Sequence, residues 1–393
     1  LKMSITNLAK LGGKPEFKDP VPVGQLYFPN RELYVEKMRG IFDRGHFTNH
    51  GPLLEEFEER LSSYLNVSDV ICVANNTIGL IITAEALELT GGVIVPSFTF
   101  IATALSLKRC GLNPIFCDIA PNSIFPSAKE LEECYNIDVS GVIGVNLWGS
   151  CAPVAEIEQW AKTKQLKVFW DSAQAFGCEI NNRRVGNNGS AEVFSFHATK
   201  ILSTAEGGCI ATNSKELAEK MRNIRSRHGI NQQMKIKRTA NACMSEFQAA
   251  LGLMSLDNID NFIKHNTTIR NKYSELISSI SGISLMSNLG VSKSNSQSII
   301  LIVDELEFGL SRDLIVESLN KEGIIARRYF LPSLHKLTQF NQGQNIYLPN
   351  TNSFQEKNIV MPVGARTNIE TIERIQKILK SIQDHATSIK KLD

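Results

Sequence analysis

At 393 residues the chain is longer than one hydrophobic core usually organises, so a large domain with a smaller companion is expected. A composition of 42% hydrophobic and 21% charged residues excludes a disordered or low-complexity chain. With 42 basic against 40 acidic side chains the net charge is +2, which gives no electrostatic reason to expect nucleic acid or an anionic membrane as main partner.

The segment to about Phe28 is rich in Gly and Pro and reads as an extended arm. Leu1–Pro20 has no continuous apolar core, so no signal peptide is expected, and Met3 is the expected initiator. Apolar residues at helical spacing predict helices over Arg31–Asp43 and Pro52–Leu65, with a turn from Thr48 to Gly51 between them. An alternation then begins. Val70–Val73, Val93–Val95, Pro114–Cys117, Gly141–Val145 and Val168–Trp170 read as buried strands. Helical stretches such as Thr77–Leu89, Ile101–Cys110 and Ala155–Lys164 lie between them. Strand, helix, strand with short connections predicts an α/β fold with a mostly parallel sheet covered on both faces.

Val193–Phe196 and Gly208–Thr212 continue the strands, and Lys215–Arg225 and Met244 to about Ile280 read as helices. After Ser281 the character changes. A Ser/Asn-rich link, Ser292–Ser298, leads to a strand at Ile299–Val303, a helix at Arg312–Glu322, a strand near Ile324–Arg328 and a last helix at Ile369–Asp384. The expected division is an arm over 1–28, a large α/β domain over 29–280 and a small C-terminal α/β domain over 281–393. The apolar neighbourhood Val93–Leu107 is broken by Pro96 and several hydroxyls, so it predicts no membrane span. The 8 cysteines include no Cys-x-x-Cys pair and no zinc-like grouping with histidine, so no metal is expected. Cys72, Cys117 and Cys209 fall in apolar runs, which suits a reducing cytoplasm. The basic run Lys235-Ile236-Lys237-Arg238 reads as a solvated loop, with anion contact as the lesser alternative.

Open parallel sheets bind ligands beyond the carboxyl ends of their strands, so the residues following each strand carry the functional reading. Asn75, Asn76 and Thr77 open a helix after the first of these strands, which on its own reads first as an ordinary helix cap and second as a place suited to a phosphate. Asp171 ends a later strand, and a carboxylate there can cap a helix, bind a metal or face a cationic ring. Ser195 and Lys200 follow the next strand; a hydroxyl and a lysine at this range suit an anchored aldehyde cofactor, although a surface lysine is equally ordinary. Taken together and in this order they form the layout of a pyridoxal 5'-phosphate (PLP) site. No Gly-x-Gly-x-x-Gly follows a strand, and neither Gly-x-x-x-x-Gly-Lys nor Gly-x-Ser-x-Gly occurs, so nicotinamide, P-loop and serine-hydrolase chemistry lack support.

Several stretches resemble the DegT/DnrJ/EryC1/StrS family of PLP-dependent nucleotide-sugar aminotransferases. They are Gly45–Pro52, Val95–Phe100, Asp171-Ser172-Ala173-Gln174-Ala175, Phe194–Lys200 with Glu206-Gly207-Gly208, and Met244–Ala250. The resemblance runs over nearly the whole length. It implies PLP fold type I, aspartate aminotransferase-like, and a homodimer with shared active sites.

On the matching residues, Lys200 would hold PLP covalently and then move the proton. Asp171 would pair with the ring nitrogen, Gln174 with the ring hydroxyl, and Phe100 would stack on the ring. Thr77, the Ile78 amide and Ser195 would hold the phosphate, with Asn241 reaching it from the neighbouring subunit. Tyr329 and His335 match positions near the sugar nucleotide, with plain packing the alternative. Asn76 stands where the family usually has Gly, Ile78 where it has a small residue, and Cys243 where Arg or Lys is frequent.

The implied reaction moves the amino group of L-glutamate to a nucleotide-linked keto sugar. The form Phe196-His197-Ala198-Thr199-Lys200 most resembles members acting at carbon 4 of a dTDP-4-keto-6-deoxyhexose. Amination at carbon 3 or of a UDP sugar, dehydration, amination of a cyclic ketone that carries no nucleotide, and a PLP-fold binding or regulatory protein without turnover are the alternatives.

Overall fold

The computed structural model describes residues 8–27, 30–226, 236, 238–341 and 346–392. A short strand β1 (Val21–Pro22) precedes helices α1 (Arg31–Arg44) and α2 (Pro52–Leu65). There follow β2 (Asp69–Val73), α3 (Asn76–Ala86), β3 (Gly92–Pro96), α4 (Ile101–Arg109), β4 (Asn113–Cys117), α5 (Ala128–Cys134), β5 (Val139–Val145), α6 (Val154–Thr163) and β6 (Lys167–Asp171). A hairpin of β7 (Glu179–Ile180) and β8 (Arg183–Arg184) leads to β9 (Glu192–Ser195), β10 (Gly208–Thr212), α7 (Lys215–Arg225), α8 (Glu246–Asp257) and α9 (Ile259–Ile277). The remaining elements are β11 (Ile283–Leu285), β12 (Ile299–Val303), α10 (Glu305–Phe308), α11 (Arg312–Lys321), β13 (Ile324–Ile325), α12 (Thr338–Asn341), α13 (Pro349–Gln355), β14 (Asn358–Met361), α14 (Ile369–Asp384) and α15 (Ala386–Lys390).

Seven strands form the main sheet in the order β2-β10-β9-β6-β5-β3-β4. Only β10 runs against its neighbours, pairing antiparallel with both β2 and β9. The other pairs are parallel, so β2, β3, β5, β6 and β9 present their carboxyl ends on one edge. Apolar side chains cover both faces, which is why these strands are continuous hydrophobic runs. One face packs Ile71, Val93 and Ile143 under Leu80 of α3, Ala104 of α4 and Met221 of α7. The other packs Ile94, Val142 and Trp170 under Leu131 of α5 and Ile157 of α6.

The long helix expected over Met244–Ile280 is two helices, broken at Asn258, whose backbone leaves the helical region at φ −109 and ψ 2. Its side chain turns back to donate to the Met254 carbonyl (3.0 Å), an alternative to continuing the helix. The start of α8 carries a capping box between Ser245 and Gln248. Its buried Glu246 reaches across to α2, accepting from the Leu53 and Leu54 amides (3.1 and 2.9 Å). Pro52 opens α2 and no side chain of its own caps it, so Glu246 satisfies the exposed amides from another element. Truncating it would leave buried donors unpaired, at a cost of about 1–3 kcal/mol.

A second sheet, β11-β12-β14, packs with α11 and α14 around Leu301, Ile315 and Ile375. Leu8, Phe17 and Val21 are buried in this same core and β1 pairs with β13, so the segment from Leu8 to Pro22 is docked on the C-terminal unit, whereas Tyr27 is buried with Leu54 and Phe57 of α2. Of the strand expected near Ile324–Arg328, β13 keeps two residues, and Arg327 makes an isolated bridge to Val360. The eight thiols are free, with Cys72, Cys117 and Cys209 buried. No described helix is long and apolar enough to cross a membrane. Lys235 and Lys237 of the basic run lie outside the described residues; Arg238 pairs with Glu85 at 2.9 Å.

Candidate active site

A cavity of about 760 Å³ opens at the carboxyl edge of the main sheet. The segments leaving β2, β3, β5, β6 and β9 all contribute to its wall, as an open α/β sheet dictates. Of the residues singled out in the sequence, Thr77, Ile78, Phe100, Asp171, Gln174, Ser195, Lys200 and Tyr329 line it.

Asp171, the last residue of β6, is 5% exposed. Its Oδ2 accepts from the Thr103 hydroxyl (2.8 Å), while Oδ1 accepts from the Ala173 amide and the Asn76 side-chain amide (both 3.3 Å). Burial pushes this carboxyl above its ordinary range; the Thr103, Ala173 and Asn76 donors and the Lys200 amine oppose that push. Lys200 lies in the turn after β9, its amide donating to the His197 carbonyl (2.9 Å). Burial pulls its amine down from 10.5 to about 8, against the attraction of Asp171. A lysine poised this way offers far more free amine near neutrality than an ordinary lysine does.

Gln174 is oriented by its surroundings. Its Oε1 accepts from the Trp148 amide (3.0 Å), which leaves the side-chain NH₂ as a donor in the cavity wall. Asn295 holds the Gln174 and Phe176 carbonyls (3.1 and 3.0 Å), so the Ser/Asn-rich link buttresses this loop. Phe100 presents an exposed ring, and its centroid is 6.5 Å from that of Phe330. At the start of α3, Asn75 is the cap: its Oδ1 takes the Ile78 amide (2.9 Å), so that amide is already engaged. The Ser195 hydroxyl accepts weakly from the His197 amide (3.4 Å), which leaves its own hydrogen to donate.

PLP carries acceptors around most of its edge and one ring donor, its protonated nitrogen. The wall matches that pattern. Donors stand at Thr77, Ser195 and Gln174, and an amine at Lys200. Acceptors concentrate at Asp171 and at the neighbouring Asn76 Oδ1, which is buried and has no partner among the described residues. The residues present therefore fit the group.

Two expected residues stand apart from the cavity. His335 is buried against the end of β3, its Nδ1 on the Ser97 hydroxyl (2.6 Å) and its pKa lowered by burial. It packs rather than lines. Asn241 is exposed and outside the wall. Other wall and support residues were given no role by the sequence, although His197, Thr199, Glu206 and Ser172 lie in stretches that carry the resemblance. His197 Nδ1 is held by Thr199 (2.9 Å) with Nε2 3.7 Å from Glu206, and all three line the mouth. Behind the wall, burial pushes Glu192 up to about 7 while Ser172 (2.6 Å), Asn146 (3.3 Å) and Asn188 (3.0 Å) donate to it. Thr103 sits one helical turn into α4 and belonged to no motif.

Fold, cavity and donor pattern define a PLP-dependent enzyme of the type I class. The model of the DegT/DnrJ/EryC1/StrS aminotransferase family matches residues 30–380, and the chain belongs to that family of sugar aminotransferases. A dTDP-4-amino-4,6-dideoxy-D-glucose transaminase of Shigella dysenteriae is 32% identical over 365 residues, covering 93% of this chain and 99% of its own. A GDP-perosamine synthase of Vibrio cholerae is 26% identical over 344 residues, covering 86% and 93%. The crystal structure of DesI in the presence of its TDP-sugar product is similar at a TM-score of 0.94 and 32% identity, covering 99% of this chain and 100% of that one.

An amine with a pKa of about 8 is protonated and unreactive below that pH. The rate at which cofactor-free protein captures PLP covalently should rise about tenfold per pH unit on the acid side and level off above about 8. Stopped-flow absorbance checks this; a rate still climbing at the same slope to pH 10 would place the amine near its ordinary value.

Proposed function

We propose that this chain moves the amino group of L-glutamate to carbon 4 of a dTDP-linked 4-keto-6-deoxyhexose, giving a 4-amino-4,6-dideoxy sugar. The observation that carries the reading is the meeting of Lys200 and Asp171 in one buried cavity with the Gln174, Thr77 and Ser195 donors. The similarity to the Shigella dysenteriae transaminase and to DesI favours dTDP and carbon 4 over the alternatives.

When bound, PLP supplies an electron-withdrawing ring that stabilises negative charge at the carbon bearing the amino group. Lys200 would hold the cofactor covalently, and its amine, when free, would take up and return the proton that the reaction moves. A pKa lowered to about 8 suits both duties. Asp171 would face the ring nitrogen and keep it protonated. Gln174 would donate to the ring hydroxyl, and Phe100 would cover a ring face and displace water. Thr77 and Ser195 donate to the phosphate; the Ile78 amide, given to Asn75, contributes less than the sequence implied. Tyr329 flanks the sugar side of the cavity.

The working unit in this reading is a homodimer. Ile41 is the one buried side chain of α1, leaving Leu33, Val35 and Phe42 exposed. Phe42 joins Phe47 and Phe247 in an aromatic cluster with centroids 5.8–6.1 Å apart. An apolar face of this kind suits a second copy. Among the described wall residues Lys200 is the one amine and there is no arginine, so the diphosphate's charge is met from beyond this wall. In this reading Asn241, which is exposed, would serve the partner's phosphate.

Adding L-glutamate to the purified holoenzyme should abolish the visible absorption of lysine-bound cofactor and release 2-oxoglutarate; an unchanged band contradicts the aminotransfer. A panel of dTDP-, UDP- and GDP-linked 4-keto-6-deoxy sugars should then favour dTDP by about tenfold or more in kcat/KM. Preference for another nucleotide, or an amino group at carbon 3 by NMR, would overturn that part. Sedimentation should give a dimer, weakened by Phe42→Asp; a monomeric wild type that turns over would refute the shared site.

A further inference from the structure

Asn76 and Asn75 are adjacent and look interchangeable, but they do different things. Asn75 caps α3 through its side-chain oxygen. Asn76 is therefore not needed to start the helix, and its side chain turns to the cavity instead. The backbone here is fixed by β10: a Cβ on Gly208 would come within 3.0 Å of the Asn76 nitrogen and 2.5 Å of the Phe194 carbonyl oxygen. The close approach that only glycine allows at 208 sets where the backbone of Asn76, from which its side chain springs, lies.

The orientation of that amide is chemically forced. An ionised Asp171 can only accept, so Asn76 must turn its NH₂ to it, at 3.3 Å. Its Oδ1 is then buried without a partner among the described residues. A buried acceptor beside a carboxylate calls for a donor, and PLP offers one on its ring, the protonated nitrogen. The Asn76 donor and the Asn76 acceptor act in the same direction. Donation to Asp171 makes the carboxylate a poorer base, and the free oxygen stabilises the proton when it sits on the ring. The groups on Asp171 besides Asn76 are the neutral Thr103 hydroxyl and Ala173 amide and, as the charged group acting on it, Lys200.

We propose that Asn76 is a positioning residue for the ring nitrogen, holding Asp171 through its amide N–H and sharing the nitrogen's proton through its carbonyl oxygen. This goes beyond the family pattern, in which a glycine at this position offers neither contact. It rests on Asp171 facing the ring nitrogen, as argued above.

The test is ¹⁵N NMR of holoenzyme loaded with PLP labelled at the ring nitrogen, titrated with pH. Asn76→Gly removes both contacts, and Asn76→Leu does so while keeping similar volume. Both should lower the pH at which the nitrogen loses its proton by roughly one unit or more, and Asn76→Ser, which can still donate and accept, should recover most of the shift. Titrations of the Gly and Leu variants that overlay the wild type overturn the proposal, including the case in which only thermal stability falls. Asp171→Asn, measured in parallel, separates the two readings. A shift there with none in the Asn76 variants defeats the role of Asn76 alone, whereas no shift in Asp171→Asn defeats the placement of Asp171 on which it stands.

Discussion

Desolvation at the carboxyl edge of the main sheet is the constraint on which this molecule turns. Asp171 and Lys200 are held in one cavity, where burial favours the neutral form of each. An acid that must stay ionised there needs donors, and it draws them from three separate elements. Thr103 comes from α4, the Ala173 amide from the turn after β6, and Asn76 from α3. Lys200 has no such company. Its amine is opposed by Asp171 alone, and it settles close to neutrality, where a nucleophile and proton carrier is most useful. The same burial thus pushes both groups toward their neutral forms, and what resists it differs: three donors and the Lys200 charge for Asp171, the Asp171 charge for Lys200.

The sheet makes this arrangement reproducible. Parallel strands bring five chain exits to one edge, and the antiparallel β10 slots between β2 and β9 without turning that edge over. Gly208 lets β10 approach the start of α3 closely enough to fix Asn75 and Asn76. Behind the wall, Glu192, Ser172 and Asn146 tie β9 to the exits of β5 and β6. The Ser/Asn-rich link adds a brace from the C-terminal unit, with Asn295 on the Gln174 loop. Precision at the ring's edge is thus built from contacts far apart in the chain.

That distance decides what could be read from the sequence. The strands of the main sheet and the helices between them were legible because apolar runs and helical spacing are local signals; Gly208–Thr212 and Lys215–Arg225 agree with the structure at both ends. The direction of β10 was not legible, since pairing partners are not local. Nor was the break at Asn258, where one residue's hydrogen bond interrupts a continuous helical pattern. Short pairings such as β1 with β13 offer too few residues to show a period. At the site, ordered motifs located Lys200, Asp171, Gln174, Ser195 and Thr77, which the fold brings together. Motifs give position along the chain and say nothing of contact. Thr103 went unseen because it belongs to no motif, the Ile78 amide was credited with a free hydrogen that Asn75 holds, and His335 was placed at the substrate although it packs on Ser97.

The most direct measurement of the central claim is covalent. Reducing the holoenzyme with borohydride and sequencing its peptides by mass spectrometry should locate the pyridoxyl adduct on Lys200, with the Lys200→Ala variant carrying none. An adduct on another lysine, or a Lys200→Ala protein that still acquires one with wild-type absorbance, would contradict the account.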